Sequence, residues 1–295
     1  MFDGQTQLVG VMGWPIAHSL SPVMHNAAFD ALGLNWRYVA LPVHPSQLSV
    51  AIEGLKALGF RGSNVTVPHK EAVIPSLDEV PSRVRRFGAV NTLVIHREEG
   101  GRCTVHGENT DVQGFVHALR GGGFDPQGRR VLVVGAGGGA RGAVYGLCGA
   151  GAAEVVVLNR TPGRAAALVD DLSTHAPGTA LRSGALTADV LERCANEADL
   201  LVNATTRGMW PHDGVSIWPD DRCLPSHLAV CDMVYRPLET KLLRQARAAG
   251  AWPIDGLGML LGQGALSFQM WTGQWPPEDV MRAACKAVLV QEGSR

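Results

Sequence analysis

The run VLVVGAGGGARG, from Val131 to Gly142, constrains the fold of this chain more than any other stretch, because it reads as strand, tight turn and helix start. Val131–Val134 is a short unbroken apolar segment of the kind buried on both faces of a parallel sheet. Gly135, Gly137 and Ala140 then occupy the G-x-G-x-x-G/A positions. The first glycine permits the turn, the second lets a pyrophosphate approach the backbone, and the small third residue lets the helix pack close to the strand. Unpaired N–H groups at such a helix start favour an anion. In a chain with 36 glycines the motif alone is weak. The helical stretch Ala140–Cys148 and the strand Glu154–Leu158 that follow complete a βαβ unit, and that context carries the dinucleotide reading.

The residues after the second strand narrow the cofactor. A carboxylate about 20 residues past the glycines would bind a ribose 2′-hydroxyl, whereas an arginine accommodates a 2′-phosphate. The strand here ends in Asn159-Arg160-Thr161, with Arg164 one turn into the next helix. Two guanidiniums and a hydroxyl with no carboxylate among them suit a phosphate dianion. As ordinary surface charges they would sit near a helix N-terminus, a poor place for cations. The residues therefore favour NADP over NAD.

At 295 residues the chain exceeds the usual size of one domain, which predicts two. A net charge of −1 leaves no electrostatic footprint for nucleic acid or an anionic membrane. No apolar run approaches the roughly 18 residues that span a bilayer, and MFDGQTQLVG lacks the basic start of a signal peptide. The six cysteines form no C-x-x-C pair, so they read as free thiols in a reducing cytoplasm, with no zinc spacing and no metal expected. These features predict a cytoplasmic α/β enzyme acting on a small molecule.

The predicted architecture is a substrate-binding α/β domain over residues 1–112, completed by C-terminal helices over 256–295, and a Rossmann-type dinucleotide-binding domain over 113–255. Leu8–Val11, Trp36–Leu41, Gly62–Val65, Asn91–His96 and Arg102–His106 read as strands of the first sheet. Helices near Pro22–Leu32 and Gln47–Leu58 alternate with the first three. Polar residues concentrate at the turns His18–Pro22, Asn64–Lys70, Asn91-Thr92 and Glu108–Asp111. Each has a purely structural explanation: Ser21 as an N-cap before Pro22, Asn91 shaping a turn, Asp111 in a first helical turn. Several such turns, all following strands, point instead to a ligand at the carboxyl ends of the strands.

Taken together, these motifs resemble the shikimate dehydrogenase family over nearly the whole chain. The resemblance rests on Gly13-Trp14-Pro15, His18–Pro22 with His25-Asn26, Gly62–Lys70, Gly88–Thr92 and Gly107–Asp111. It continues through the glycine turn, Asn159-Arg160-Thr161, Asn203-Ala204-Thr205, Asp232–Pro237 and Gly256–Gln263. It implies NADP-dependent, reversible reduction of 3-dehydroshikimate to shikimate, on the path to aromatic amino acids. It further implies that Lys70 and Asp111 are the catalytic pair, with Asp111 orienting the lysine. Ser19 and Ser21 would bind the substrate carboxylate with Tyr235 closing on it, and Thr66, Asn91 and Gln263 would bind hydroxyls. Gly135, Ala136, Gly137, Gly138 and Gly139 would form the pyrophosphate loop. Asn159, Arg160, Thr161 and Arg164 would clamp the adenosine phosphate, and Met233 and Gly256 would flank the nicotinamide.

Departures from the family pattern are few: Gly139 and Gly142 make the helix start glycine-rich, and Ser82 stands where some relatives have a carboxylate. Two other readings remain open on the same scaffold. One is a quinate/shikimate or aminoshikimate dehydrogenase, against which Ser19 argues, since relatives that accept quinate often have another small residue there. The other is a catalytically silent NADP-binding regulatory protein, which would be expected to have lost Lys70 or Asp111. The expected assembly is a monomer or homodimer.

Overall fold

The computed structural model describes residues 3–174, 176 and 178–293. The chain divides into two compact units, one running to Asp111 and including Gln263–Val288, the other Val112–Gly262 with the chain from Leu289 onward. Among the described residues no helix is long and apolar enough to cross a membrane.

The first unit is a five-stranded mixed sheet of β1 (Gln7–Gly13), β2 (Trp36–Pro42), β3 (Gly62–Val65), β4 (Thr92–Arg97) and β5 (Cys103–Glu108), in the order β2-β1-β3-β4-β5. The first three strands pair in parallel, joined by α1 (Ser21–Ala31) and α2 (Leu48–Ala57); β4 and β5 continue antiparallel. The short helix α3 (Ser82–Phe87) precedes β4. One sheet face packs with Leu48, Ile52 and Leu55, the i, i+4, i+7 stripe of α2, together with Val84 of α3. On the other face α1 meets the long helix α9 (Leu257–Thr272), where a Cβ at Gly264 would lie 2.3 Å from the Met24 side chain. A side chain there would have to displace the end of the Met24 side chain.

Ser21 proves to be the first residue of α1 rather than its cap. Leu20 holds the cap position without a side-chain bond, and the Ser19 hydroxyl accepts from the Ser21 N–H at 3.3 Å. Pro22 stands in the first turn as its fixed φ requires.

Beneath these helices His25 is fully buried with neither ring nitrogen hydrogen-bonded. It stacks on Tyr38 at 4.3 Å and on Phe268 at 6.1 Å. Burial pushes its pKa down to about 3. The unfolded chain would bind this proton near 6.5 and the folded chain would not, so stability is intact above pH 6.5 and lost as pH falls toward 3. Linkage puts the loss on the order of 4–5 kcal/mol across that window. His25→Leu is expected to flatten this part of a stability-versus-pH curve measured by urea unfolding; parallel curves for the two proteins would refute it.

The second unit is a six-stranded all-parallel sheet in the order β11-β10-β9-β6-β7-β8. Its strands are β6 (Arg130–Val134), β7 (Glu154–Asn159), β8 (Ala180–Ala185), β9 (Leu200–Asn203), β10 (Ala229–Asp232) and β11 (Trp252–Ile254). Its helices are α4 (Asp111–Gly121), α5 (Gly138–Gly149), α6 (Pro162–Ser173), α7 (Ala188–Glu197) and α8 (Lys241–Ala248). The tail ends in α10 (Glu278–Gly293). Period-2 alternation on β6 explains its unbroken apolar run. Val131 and Val133 join the core under α5 and α6, while Leu132 and Val134 join the core under α7 and α8. Ala140, Ala143, Val144 and Leu147 give α5 the i, i+3, i+4, i+7 face that seats it on the first of these cores.

Candidate functional site

Each unit carries its own cluster of functional side chains. In the first, Lys70 follows the turn after β3 and is anchored by its carbonyl, which accepts from the Val90 N–H at 2.8 Å. Its Nζ donates to Asp111 Oδ2 at 2.6 Å; the lysine side chain is 30% exposed and the aspartate 19%. Asp111 opens α4, where a carboxylate also suits the helix dipole. The ion pair thus joins residues 41 apart in sequence, half-buried and still open to a small molecule.

Around this pair lies a connected set of buried amides and hydroxyls. The Thr110 N–H donates to Asn91 Oδ1 at 2.7 Å, and Asn91 Nδ2 donates to Thr110 Oγ1 at 3.0 Å and to Gln263 Oε1 at 3.5 Å. These bonds fix which way the Asn91 amide faces. Asn64 Nδ2 donates to Ser267 Oγ at 2.9 Å and Thr92 Oγ1 at 3.1 Å, while Asn64 Oδ1 accepts from the Tyr38 hydroxyl at 2.7 Å. Burial raises the Tyr38 phenol well above its ordinary range, partly opposed by a hydrogen bond with Ser21. Ser21 and Gln263 are buried, Ser19 and Thr66 half-buried. All the expected substrate residues except Tyr235 belong to this unit; Tyr235 lies in the second, half-buried in the loop after β10.

Sequence reasoning assigned no role to Tyr38, Thr92, Thr110 or Ser267. Ser267 had one readable signal: it follows Gln263 by one helical turn on the same face of α9, and its hydroxyl donates to the Gln263 carbonyl at 3.0 Å. Tyr38 had none, because its partner Asn64 sits two strands away in the sheet.

In the second unit the glycine turn is built as a cradle. Gly135 has φ +121°, and a Cβ there would press to 2.9 Å from the Ala204 carbonyl. Gly137 caps α5 with no side-chain bond to the first helical N–H groups, and a Cβ at Gly137 or Gly138 would meet nothing within 4 Å. Open space before uncapped N–H groups at a helix start fits a pyrophosphate. Ala136 is half-buried and Gly139 exposed, with the Met233 side chain 3.4 Å from a Cβ position at Gly139.

At the end of β7, Asn159 Nδ2 donates to the Thr161 carbonyl at 3.0 Å, shaping the turn into α6. Thr161 is the N-cap, with its hydroxyl uncommitted to the helix. Arg160 and Arg164 are exposed, and neither has an ion-pair partner among the described residues. That cationic surface with no competing carboxylate fits a 2′-phosphate. Gly256 is buried against the strand end, where a Cβ would lie 2.7 Å from the Met233 carbonyl oxygen.

The parallel sheet, its glycine cradle and the paired lysine and aspartate define an α/β oxidoreductase of the dinucleotide-binding class. Comparison with known proteins is more specific. Residues 11–93 match the shikimate dehydrogenase substrate binding domain, 121–209 the shikimate/quinate 5-dehydrogenase domain, and 256–286 the shikimate 5′-dehydrogenase C-terminal domain. The chain is 47% identical to the shikimate dehydrogenase (NADP(+)) of Moorella thermoacetica, over 94% of this chain and 91% of that one. Shikimate 5-dehydrogenase from Thermus thermophilus, solved with NADP(H) and shikimate, superposes with a TM-score of 0.81 at 41% identity, covering 95% and 99% of the two chains. Quinate dehydrogenase from Corynebacterium glutamicum, solved with NAD, gives a TM-score of 0.84 at 33% identity, covering 96% and 99%. The chain belongs to the shikimate dehydrogenase family.

Proposed function

We infer that the protein catalyses the reversible, NADP-dependent reduction of 3-dehydroshikimate to shikimate, in the biosynthesis of aromatic amino acids. The observation that carries this reading is the Lys70–Asp111 pair at 2.6 Å beside the buried Asn91, Thr110 and Gln263 network. A polyhydroxylated ring needs such partners, because an unpaired buried polar group costs about 1–3 kcal/mol. Ser19 and Ser21 at the start of α1 bind the ring carboxylate with hydroxyl and backbone donors, and Tyr235 is a further substrate-binding residue. Thr66, Asn91 and Gln263 bind the hydroxyls.

Bound NADPH supplies the hydride. The Lys70 ammonium donates to the carbonyl oxygen and gives up a proton as negative charge develops there. Asp111 orients that donor by accepting one of its N–H bonds. Gly135, Ala136, Gly137, Gly138 and Gly139 hold the pyrophosphate, and Asn159, Arg160, Thr161 and Arg164 hold the adenosine phosphate. Met233 and Gly256 shape the nicotinamide subsite. Residues 1–112 with the C-terminal helices serve as the substrate-binding domain and 113–255 as the NADP-binding domain. The free cysteines support a reducing cytoplasm, where the protein works as a monomer or homodimer.

The reading is tested by a matrix of shikimate and quinate, each with NADP and NAD, followed by absorbance of the reduced nicotinamide. Shikimate with NADP is expected to give the highest kcat/KM. Ser19→Ala should weaken shikimate binding by roughly 1 kcal/mol or more, as a hydrogen bond to a charged group is lost. Ser19→Gly, which also opens space near the carboxylate, should raise quinate turnover relative to shikimate. A wild type that prefers quinate would replace the shikimate assignment with a quinate one.

A further inference from the structure

At the carboxyl end of the second sheet, one carboxylate gathers three segments of chain. Asp232, the last residue of β10, is fully buried. Its Oδ1 accepts from Asn203 Nδ2 at 2.8 Å and from the Val234 N–H at 3.1 Å, and its Oδ2 accepts from the Thr240 hydroxyl at 2.6 Å. Asn203 ends β9, and its Oδ1 in turn accepts from the Thr205 N–H at 3.1 Å and hydroxyl at 2.7 Å. Thr240 is the N-cap of α8. Gly256, just past β11, is pressed so close that a Cβ would lie 2.6 Å from the Asp232 carbonyl oxygen. The end of β9, the loop after β10 and the cap of α8 therefore rest on a single side chain, while the segment after β11 packs on the backbone of Asp232.

A carboxylate is a costly choice there. Burial pushes Asp232 up to about 6, although its three hydrogen bonds oppose the shift. What it offers is acceptor capacity on both oxygens and no donor, so donors from three segments converge on it without conflict. An amide of the same shape has one acceptor atom and brings a donor group toward donors already in place.

The strand order gives this cluster a functional address. A sheet of this type binds a dinucleotide across the crevice where strand order reverses, between β6 and β9, one mononucleotide half on each side. The glycine cradle follows β6 and the two arginines follow β7, which occupies the adenosine half. The nicotinamide half then falls to the loops after β9, β10 and β11.

We propose that Asp232 is the positioning residue of the nicotinamide subsite, fixing the backbone at Met233, on which Gly256 packs, through the hydrogen bonds to Asn203, Val234 and Thr240 without itself touching cofactor or substrate. This rests on the NADP-dependent reading given above.

The test is Asp232→Asn, with titrations of NADP+ and of adenosine 2′,5′-bisphosphate, which carries the adenosine phosphates but no nicotinamide. Steady-state kinetics complete the set. The affinity for NADP+ is expected to fall roughly three- to tenfold and kcat at least about tenfold, while the bisphosphate affinity and the KM for shikimate stay within about twofold. Thr240→Ser, which keeps the hydroxyl, should match the wild type, and Thr240→Val should shift NADP+ affinity and kcat in the same direction as Asp232→Asn. The Thr240 pair decides the matter even if Asp232→Asn does not fold. Equal weakening of NADP+ and the bisphosphate, or lowered stability with kcat and NADP+ affinity unchanged, would overturn the proposal. A wild type that binds neither nucleotide would instead overturn the cofactor reading on which it rests.

Discussion

Lys70→Ala is expected to lower kcat by roughly 10²–10⁴-fold while changing the KM for shikimate far less. General acid–base catalysis contributes on that scale, and an interaction made mainly in the transition state is lost from kcat. The structure sharpens the expectation. Lys70 is the only cation within ion-pair distance of Asp111 among the described residues, and it is held from behind by the Val90 N–H on its carbonyl. The truncation therefore removes the ammonium and leaves its backbone mooring in place. Asp111→Asn keeps an oxygen able to accept from Nζ, so its effect on kcat should be smaller than that of Lys70→Ala. Retention of near-full kcat by Lys70→Ala would remove the lysine from the chemical step.

Replacing both Arg160 and Arg164 by uncharged residues should raise the KM for NADP at least about tenfold and leave the use of NAD almost unchanged. Each charge-assisted hydrogen bond to a phosphate is worth about 1.5–3 kcal/mol. Because both side chains are exposed and neither pairs with a carboxylate among the described residues, the double variant orphans no buried charge. Its thermal stability should accordingly match the wild type within about 0.5 kcal/mol. Equal weakening toward both cofactors would show that these arginines do not read the 2′-phosphate.

The two predictions draw on different depths of information. The arginines were legible because strand, turn and helix lie within one short stretch, so their place at the end of β7 follows from local order. The Lys70–Asp111 pairing was implied by family resemblance, and the fold of the first unit supplies its geometry by bringing the turn after β3 to Asp111. Ser21 shows the limit of local reasoning. A serine before proline suits a cap, yet the helix begins one residue earlier and Ser19 supplies the nearby acceptor. The edge strand β8, ALRSGA, was not recognised, because an exposed edge has neither the apolar run nor the clean alternation that marks a buried strand.

By itself the sequence determined the α/β class, the strand–glycine–helix cradle, the choice of a phosphate-bearing cofactor and the polar turns that would meet a ligand. Those features depend on periodicity, on glycine where the backbone needs positive φ or close approach, and on charges a few residues apart. Tertiary structure alone decided the mixed pairing of the first sheet and the hub at Ser267, whose bond to Asn64 spans 203 positions. It also decided the isolation of His25 among aromatic rings and the convergence of donors from Asn203, Val234 and Thr240 on Asp232. The physical reason is the same in each case. A buried polar group is defined by the donors and acceptors that packing brings to it, and packing unites residues that nothing in their local sequence connects.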